Sequence, residues 1–228
     1  MARLTVDIAT GAGADAARDL RHAVFVEEMG VDPACEADRF DADATHLILR
    51  DAARPAMGAI GALRLRDGVD YTAGEFDVAR LRADGRKLAE LGRMCLHRDY
   101  RGGAAAALML TAALRQLDER GIGLVVGTGS FFGADPDHHM PALRALRDEA
   151  LAPEGLRPRA IGPQAIRIEG PGNPADMRLV PALLKSYVRA GAWIGQGAWL
   201  DREFGTIDVC LVMDMARIRL PAALKAAS

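Results

Sequence analysis

The sequence predicts an α/β protein with a mixed central sheet flanked by helices, and three observations carry that prediction. Leu4, Val6 and Ile8 alternate with polar residues, the period-2 signature of a half-buried edge strand. Ala107, Leu110, Leu114 and Leu117 fall on one stripe of a helix over residues 104–120. Leu124, Val125 and Val126 then form a nearly all-apolar run, as expected of a central strand covered on both faces. Strand, helix and strand in that order imply parallel neighbours joined by a right-handed crossover.

Taken in order, the first strand ends at Gly11 and Gly13, and a helix follows from Asp15, with Leu20, Val24 and Met29 near one face and Arg21 bordering it. Residues 30–43 contain Pro33 and a crowd of acids (Asp32, Glu36, Asp38, Asp41, Asp43, with Glu28 just before), which predicts a solvated loop that buries little. A calcium loop would need a central Gly and a terminal Glu that this spacing lacks. Two strands, 45–49 and 57–65, are joined by a turn at Arg54-Pro55. Residues 67–87, around Phe76, read as irregular or a short helix. A strand from Glu90 leads into the alanine-rich helix, which Gly121 closes.

After the apolar strand, Gly-Thr-Gly-Ser-Phe-Phe-Gly is read as its end; Thr128 stands where a serine-hydrolase elbow needs Gly. Asp135 or Asp137 caps a helix to Ala150, whose adjacent His138 and His139 point about 100° apart and suit surface positions rather than a metal site. A Pro/Gly-rich connection holds a short strand at 165–168. A helix at 180–190, closed by Gly191, and a last strand at 206–213 complete the chain. With no internal repeat and no long linker, residues 1–228 are expected to form a single domain whose core extends C-terminally from about residue 150.

Half of the 228 residues are hydrophobic and the net charge is −2, which disfavours a nucleic-acid surface. Three scattered cysteines fit reduced thiols in a cytoplasmic protein rather than a disulfide framework. The longest apolar run, 104–114, falls well short of the ~20 residues a bilayer crossing needs. Contact with a membrane surface stays open.

The chemistry centres on Glu90–Ala107, ELGRMCLHRDYRGGAAAA. The turn carrying Arg98, Arg101, Gly102 and Gly103 opens a helix, where unsatisfied N–H groups and the helix dipole favour an anion. Glu90 lies one strand-length away and can serve as an acid or base. Strict alternation would send Glu90 and Arg93 to opposite faces of the strand. A shared site requires a bulge, expected at Gly92, and the freed N–H would polarise a carbonyl. An ion pair between Glu90 and Arg93 is the competing role.

The element order and the Tyr100-Arg101-Gly102-Gly103 turn resemble the GNAT acyltransferases and their pyrophosphate turn, with Ala104 in place of the central Gly. That departure suits a donor with one phosphodiester, the phosphopantetheine arm of acyl carrier protein. Arg21-x-x-x-Phe25, Glu36-x-Asp38-x-x-Asp41, Arg64 and Glu90-x-x-Arg93 resemble the scaffold of the acyl-homoserine lactone (autoinducer) synthases. ELGRMCLHRDYR, SFFGADP and PALLKSYVRAGA…DREFGTIDV are most similar to the bacterial L-ornithine Nα-acyltransferases, over roughly residues 21–218.

The resemblance implies transfer of a 3-hydroxyacyl group from acyl carrier protein to the α-amino group of L-ornithine, with no tightly bound cofactor and no metal. It also implies peripheral contact with the inner face of a membrane, because the product is a lipid. Glu90 and Arg93 would be catalytic. Arg21, Phe25, Glu36, Asp38, Asp41, Arg64, Ser130 and Phe131 would meet the substrate, with pairing of Arg21 and Arg64 to the three acids, fixing the loop, as their alternative role. Arg98, Arg101, Gly102 and Gly103 would meet the donor phosphate. The alternatives are an autoinducer-type or other amino-acid N-acyl synthase, and a non-catalytic acyl or carrier-protein binding module.

Overall fold

A computed structural model describes residues 3–218. In chain order the strands are β1 (Leu4–Thr10), β2 (Thr45–Asp51), β3 (Gly61–Asp67), β4 (Phe76–Asp77), β5 (Leu88–Leu96), β6 (Leu124–Phe132), β7 (Arg159–Ala160), β8 (Ala165–Ile166), β9 (Trp193–Ile194), β10 (Ala198–Asp201) and β11 (Thr206–Asp214). The α-helices are α1 (Asp15–Arg21), α2 (Pro33–Glu36), α3 (Ala79–Ala83), α4 (Ala105–Glu119), α5 (Pro136–Ala150) and α6 (Ala182–Ala190). Described residues fall into two compact units, 3–67 with 91–121, and 68–90 with 122–218, so that β5 contributes its two ends to different units.

In the first unit β1 is an edge strand, pairing antiparallel with β2 from Leu4↔Asp51 to Thr10↔Thr45, and β2 pairs antiparallel with β3. One face carries α1, whose Ala17, Leu20 and the following Val24 meet Ile48, Ala62 and Cys95. The helix predicted over 15–29 is present, but His22–Glu28 widens into a π-helix. α4 packs on β1, β2 and β3 and buries Met109, Leu110, Ala113, Leu114 and Leu117. Gly121 follows it at φ +67°, the left-handed position that glycine tolerates.

Loop 30–43 differs from its predicted character. It folds into α2 and a 3-10 turn (Arg39–Asp41), and Glu36 and Asp41 are buried. The acids stay inside because Arg21, fully buried on α1, brings a compensating charge to them.

In the second unit β11 is central. It pairs antiparallel with β6 over Thr206↔Phe132 to Asp214↔Leu124, and also with β10 and β9. β8 pairs with β10, and Leu88–Glu90 of β5 runs parallel to Leu124–Val126. Phe76, Leu81, Val126, Cys210 and Val212 form its core. The short helix expected within 67–87 is α3, which follows β4 and its buried Phe76. One prediction is corrected here. β6 does not end at Gly127 but runs on to Phe132. Gly129 is in the strand because a Cβ there would stand 2.2 Å from Leu184 Cδ2 of α6, so a bare backbone is what lets that helix close down.

Candidate active site

In the first unit six charged residues interlock. Arg21 on α1 donates through Nε to Glu36 (2.5 Å) and grips the Asp41 carboxylate with both terminal nitrogens (2.6 and 2.9 Å). Arg64 on β3 reaches Asp38 (2.6 Å) and Asp41 (3.1 Å). Arg93 on β5 donates to Asp38 (3.1 Å) and to the carbonyls of Glu36 (3.2 Å) and Cys35 (3.3 Å). Asp38 and Asp41 also form a capping box around the 3-10 turn. Three guanidiniums thus face three carboxylates.

Burial works against the charge on Asp41, but the Arg21 hydrogen bonds and the charges of Arg21 and Arg64 outweigh it and hold that carboxyl well below the usual range. Burial likewise opposes charge on Arg21, and its bonds to Asp41 and Glu36 more than compensate. His46 on β2 lies in the same nest, fully buried, with Nε2 3.9 Å from Asp41 and neither ring nitrogen hydrogen-bonded. Burial and the neighbouring Arg21 charge lower its pKa. Phe25, half-buried, borders the core under α1.

A bulge is expected at Gly92, and an unusual backbone conformation stands next to it. Arg93, not Gly92, takes φ +50°, and among the described residues it is the sole non-glycine in left-handed territory. Such a conformation costs on the order of 1 kcal/mol or more and persists where the surroundings enforce it. Here the three acceptors of the Arg93 guanidinium do so.

The anion turn is also in the first unit. Arg98 is exposed, Gly102 takes φ +77°, and α4 starts at Ala105 with no side-chain cap from Ala104. Gly103 is exposed between them. Arg101 is clamped rather than open: Nε donates to the Leu96 carbonyl (3.0 Å) and both terminal nitrogens to Glu28 (2.5 and 2.9 Å). The hydrogen bond from Arg101 lowers the Glu28 pKa.

In the second unit, Glu90 is buried and accepts the backbone N–H groups of Thr72 (2.6 Å) and Tyr71 (3.2 Å). Both oxygens act as acceptors, which ties the carboxylate to the 3-10 turn Thr72–Gly74. Ser130 is half-buried in β6 opposite Asp208 of β11, and Phe131 is buried against the His139 ring, 5.4 Å between centroids.

Sequence reasoning missed His46, the 71–72 backbone donors and a group of buried carboxylates, Glu75, Asp201 and Asp208. Their oxygens lie within 4.8 Å of one another, an arrangement able to hold a cation. No local spacing announces that group, because Glu75 is far in sequence from the β10–β11 pair that carries Asp201 and Asp208. Cys35, Cys95 and Cys210 are free thiols, and burial pushes Cys95 up to about 12. No helix among the described residues is long and apolar enough to cross a membrane.

Comparison with known proteins follows the same lines. The acetyltransferase (GNAT) domain family matches residues 20–111. The L-ornithine N(alpha)-acyltransferase of Rhodobacter capsulatus is 39% identical over 219 residues, covering 87% of this chain and 85% of that protein. The Brucella abortus protein of the same name is 33% identical, with 91% and 82% covered. Among solved structures, a putative N-acetyltransferase from Lactobacillus plantarum superposes with a TM-score of 0.56 at 20% identity, covering 93% of this chain and 98% of that one. A CoA-dependent acyl-homoserine lactone synthase, BjaI, gives 0.53 at 15% identity, covering 97% and 86%. At those identities the two structures establish the GNAT fold.

Proposed function

Since the chain belongs to the L-ornithine Nα-acyltransferase family, we propose that it acylates the α-amino group of L-ornithine with a 3-hydroxyacyl group carried on acyl carrier protein, the first step of ornithine lipid synthesis. The observation that carries the acceptor and the reaction is the 39% identity to the Rhodobacter capsulatus enzyme over 87% of the chain. In this reading residues 1–228 act as one acyltransferase domain, at the inner face of the membrane, using the phosphopantetheine thioester as donor without a tightly bound cofactor.

The chemistry is nucleophilic. An α-amino group has a pKa near 8, so much of it is protonated at neutral pH and unable to attack. Glu90 takes that proton, directly or through a water, and the neutral nitrogen adds to the thioester carbonyl. The C–N bond forms, the C–S bond breaks, and the phosphopantetheine thiolate leaves and is protonated. Burial of Glu90 and its two backbone N–H bonds support the role, because they fix the carboxylate in one orientation.

Arg93 supports the other half of the step. Its left-handed backbone supports a local distortion of β5, and a backbone N–H of that distortion stabilises charge growing on the thioester oxygen. Arg98 and the N–H groups of Gly102 and Gly103 at the start of α4 receive the donor phosphate, while Arg101, held by Glu28, braces the turn. The Arg21, Glu36, Asp38, Asp41 and Arg64 network, balanced in charge, forms the wall that sets the loop in place. Ser130 and Phe131 flank the acyl chain.

Purified protein supplied with 3-hydroxyacyl carrier protein and a panel of amino acids tests this. Acylornithine is the expected product, and its formation should collapse in Glu90→Gln. Acylation of another amine in preference to ornithine, with the carrier as donor, would establish a different amino-acid N-acyl synthase. Donor binding without any transfer would establish a binding module.

A further inference from the structure

Residues 177–200 contain no Asp or Glu, although Arg178, Lys185 and Arg189 lie within them. This stretch forms the end of the 3-10 turn Pro174–Leu179 and the whole of α6. Its inner side is ordinary core: Val180, Leu184 and Tyr187 are buried. Its outer side keeps two leucines in solvent, Leu179 at 52% and Leu183 at 38% exposure. Lys185 Nζ donates to the Arg178 carbonyl (3.3 Å), which draws the cations alongside Leu179. Arg189, a turn further on, rests on the exposed Ser186 (3.2 Å).

Past the end of α6 lies an open pocket of about 560 Å³ lined by Val188, Arg189, Gly191, Ala216, Arg217 and Ile218. Two guanidiniums therefore border one concavity. Arg217 also stacks over Trp193, 4.0 Å from the ring centroid. The nearby carboxylate of Asp214 is occupied by Arg86 (3.0 Å).

The geometry points to a membrane-contact face made of Arg178, Leu179, Leu183, Lys185, Arg189 and Arg217, which seats the protein on an anionic bilayer. Leu179 and Leu183 enter the boundary between headgroups and acyl chains, and the Arg189–Arg217 pocket takes the phosphate of an anionic phospholipid. Exposed leucines framed by cations, which outnumber Asp176 of the same 3-10 turn, complement such a surface in both polarity and charge. The inference rests on the lipid-product reading above, since a long-chain product needs an apolar destination. None of these residues belongs to the acyl-transfer machinery described above.

The test is co-sedimentation of the full chain with phosphatidylcholine vesicles, with and without phosphatidylglycerol. Binding is expected to the phosphatidylglycerol vesicles and to weaken with salt. Lys185→Glu with Arg189→Glu should lower partitioning at least about tenfold, from the loss of the ~1 kcal/mol that each cation contributes near such a surface. Leu179→Ser with Leu183→Ser should lower it at equal charge. Both pairs should keep the wild-type melting temperature and turnover with soluble acyl carrier protein and ornithine. Failure of wild type to bind these vesicles, or wild-type binding by both pairs, would overturn the proposal. So would a raised KM for the carrier with vesicle binding intact, which would make this a carrier-docking face. Binding of inorganic phosphate without vesicle binding would make the pocket a soluble-anion site and overturn it as well. Vesicle binding by a protein that does not acylate ornithine would sink the enzymatic reading and leave the membrane face standing.

Discussion

Asp41 and Glu90 are both buried carboxylates, at 7% and 6% exposure, yet the chain handles them in different ways. Asp41 is gripped by two guanidiniums and sits in a balanced cluster of three arginines and three acids. Glu90 is held by the dipoles of two backbone N–H groups. A group locked between fixed cations is poorly suited to trade protons, because giving up its charge would strand a buried guanidinium. Backbone dipoles orient a carboxylate without that penalty. The contrast supports the catalytic role proposed for Glu90 and a structural one for Asp41, although the sequence shows the same residue types in both.

Breaking the network should have the largest effect. Arg21→Ala leaves Glu36 and Asp41 buried without their main partner, and about 3–5 kcal/mol of stability should be lost, as urea denaturation will measure. Glu90→Gln should lose about 1–3 kcal/mol of urea stability, since its NH2 meets one of the two 71–72 N–H donors, while kcat falls roughly 10²–10⁴-fold. A loss of stability without a loss of kcat would place Glu90 with Asp41 on the structural side.

Acid sharpens the same contrast in two stages. The folded pKa of His46 lies below its unfolded value of about 6.5, so the unfolded chain binds the extra proton and stability should begin to fall as pH drops below that value. Asp41 is also depressed, so its contribution is fully present above about pH 3.9 and is lost as pH falls below it. Melting temperature against pH should therefore show an early and a late decline. His46→Leu should remove only the early one.

Arg93 separates backbone from side chain. Arg93→Gly accommodates φ +50° freely, and Arg93→Ala does not, so the glycine variant should be the more stable of the two by about 1 kcal/mol in urea. Glu28→Gln should have the smallest effect. The Glu28–Arg101 pair is about 40% exposed on both sides, and pairs of this kind contribute at most about 1 kcal/mol. A modest rise in the donor KM with kcat unchanged would show Glu28 bracing the anion turn.

Periodicity in the sequence located the long strands and helices. The alternation of Leu4, Val6 and Ile8 marked an edge strand, and the stripe through Leu110, Leu114 and Leu117 marked α4, because burial of one face imposes a local repeat. Glycine misled at β6. Gly127 and Gly129 read as a strand end, yet Gly129 is there to admit Leu184 from a helix more than fifty residues away, a contact that no local window contains. The acids of 30–43 read locally as a solvated loop, while their expected pairing with Arg21 and Arg64 is present, because charges remote in sequence decide whether a carboxylate can be buried.

The functional stretch divides in the same way. A carboxylate at Glu90, an Arg-Gly-Gly turn opening a helix, the GNAT fold and the family itself were all determined by the amino-acid sequence, because each follows from local order and residue type. The tertiary structure alone decided which groups hold Glu90, that Arg93 rather than Gly92 carries the backbone break, and that Arg101 is clamped by Glu28. Hydrogen bonds and ion pairs depend on where distant segments come to rest, and that is settled only when the core closes around them.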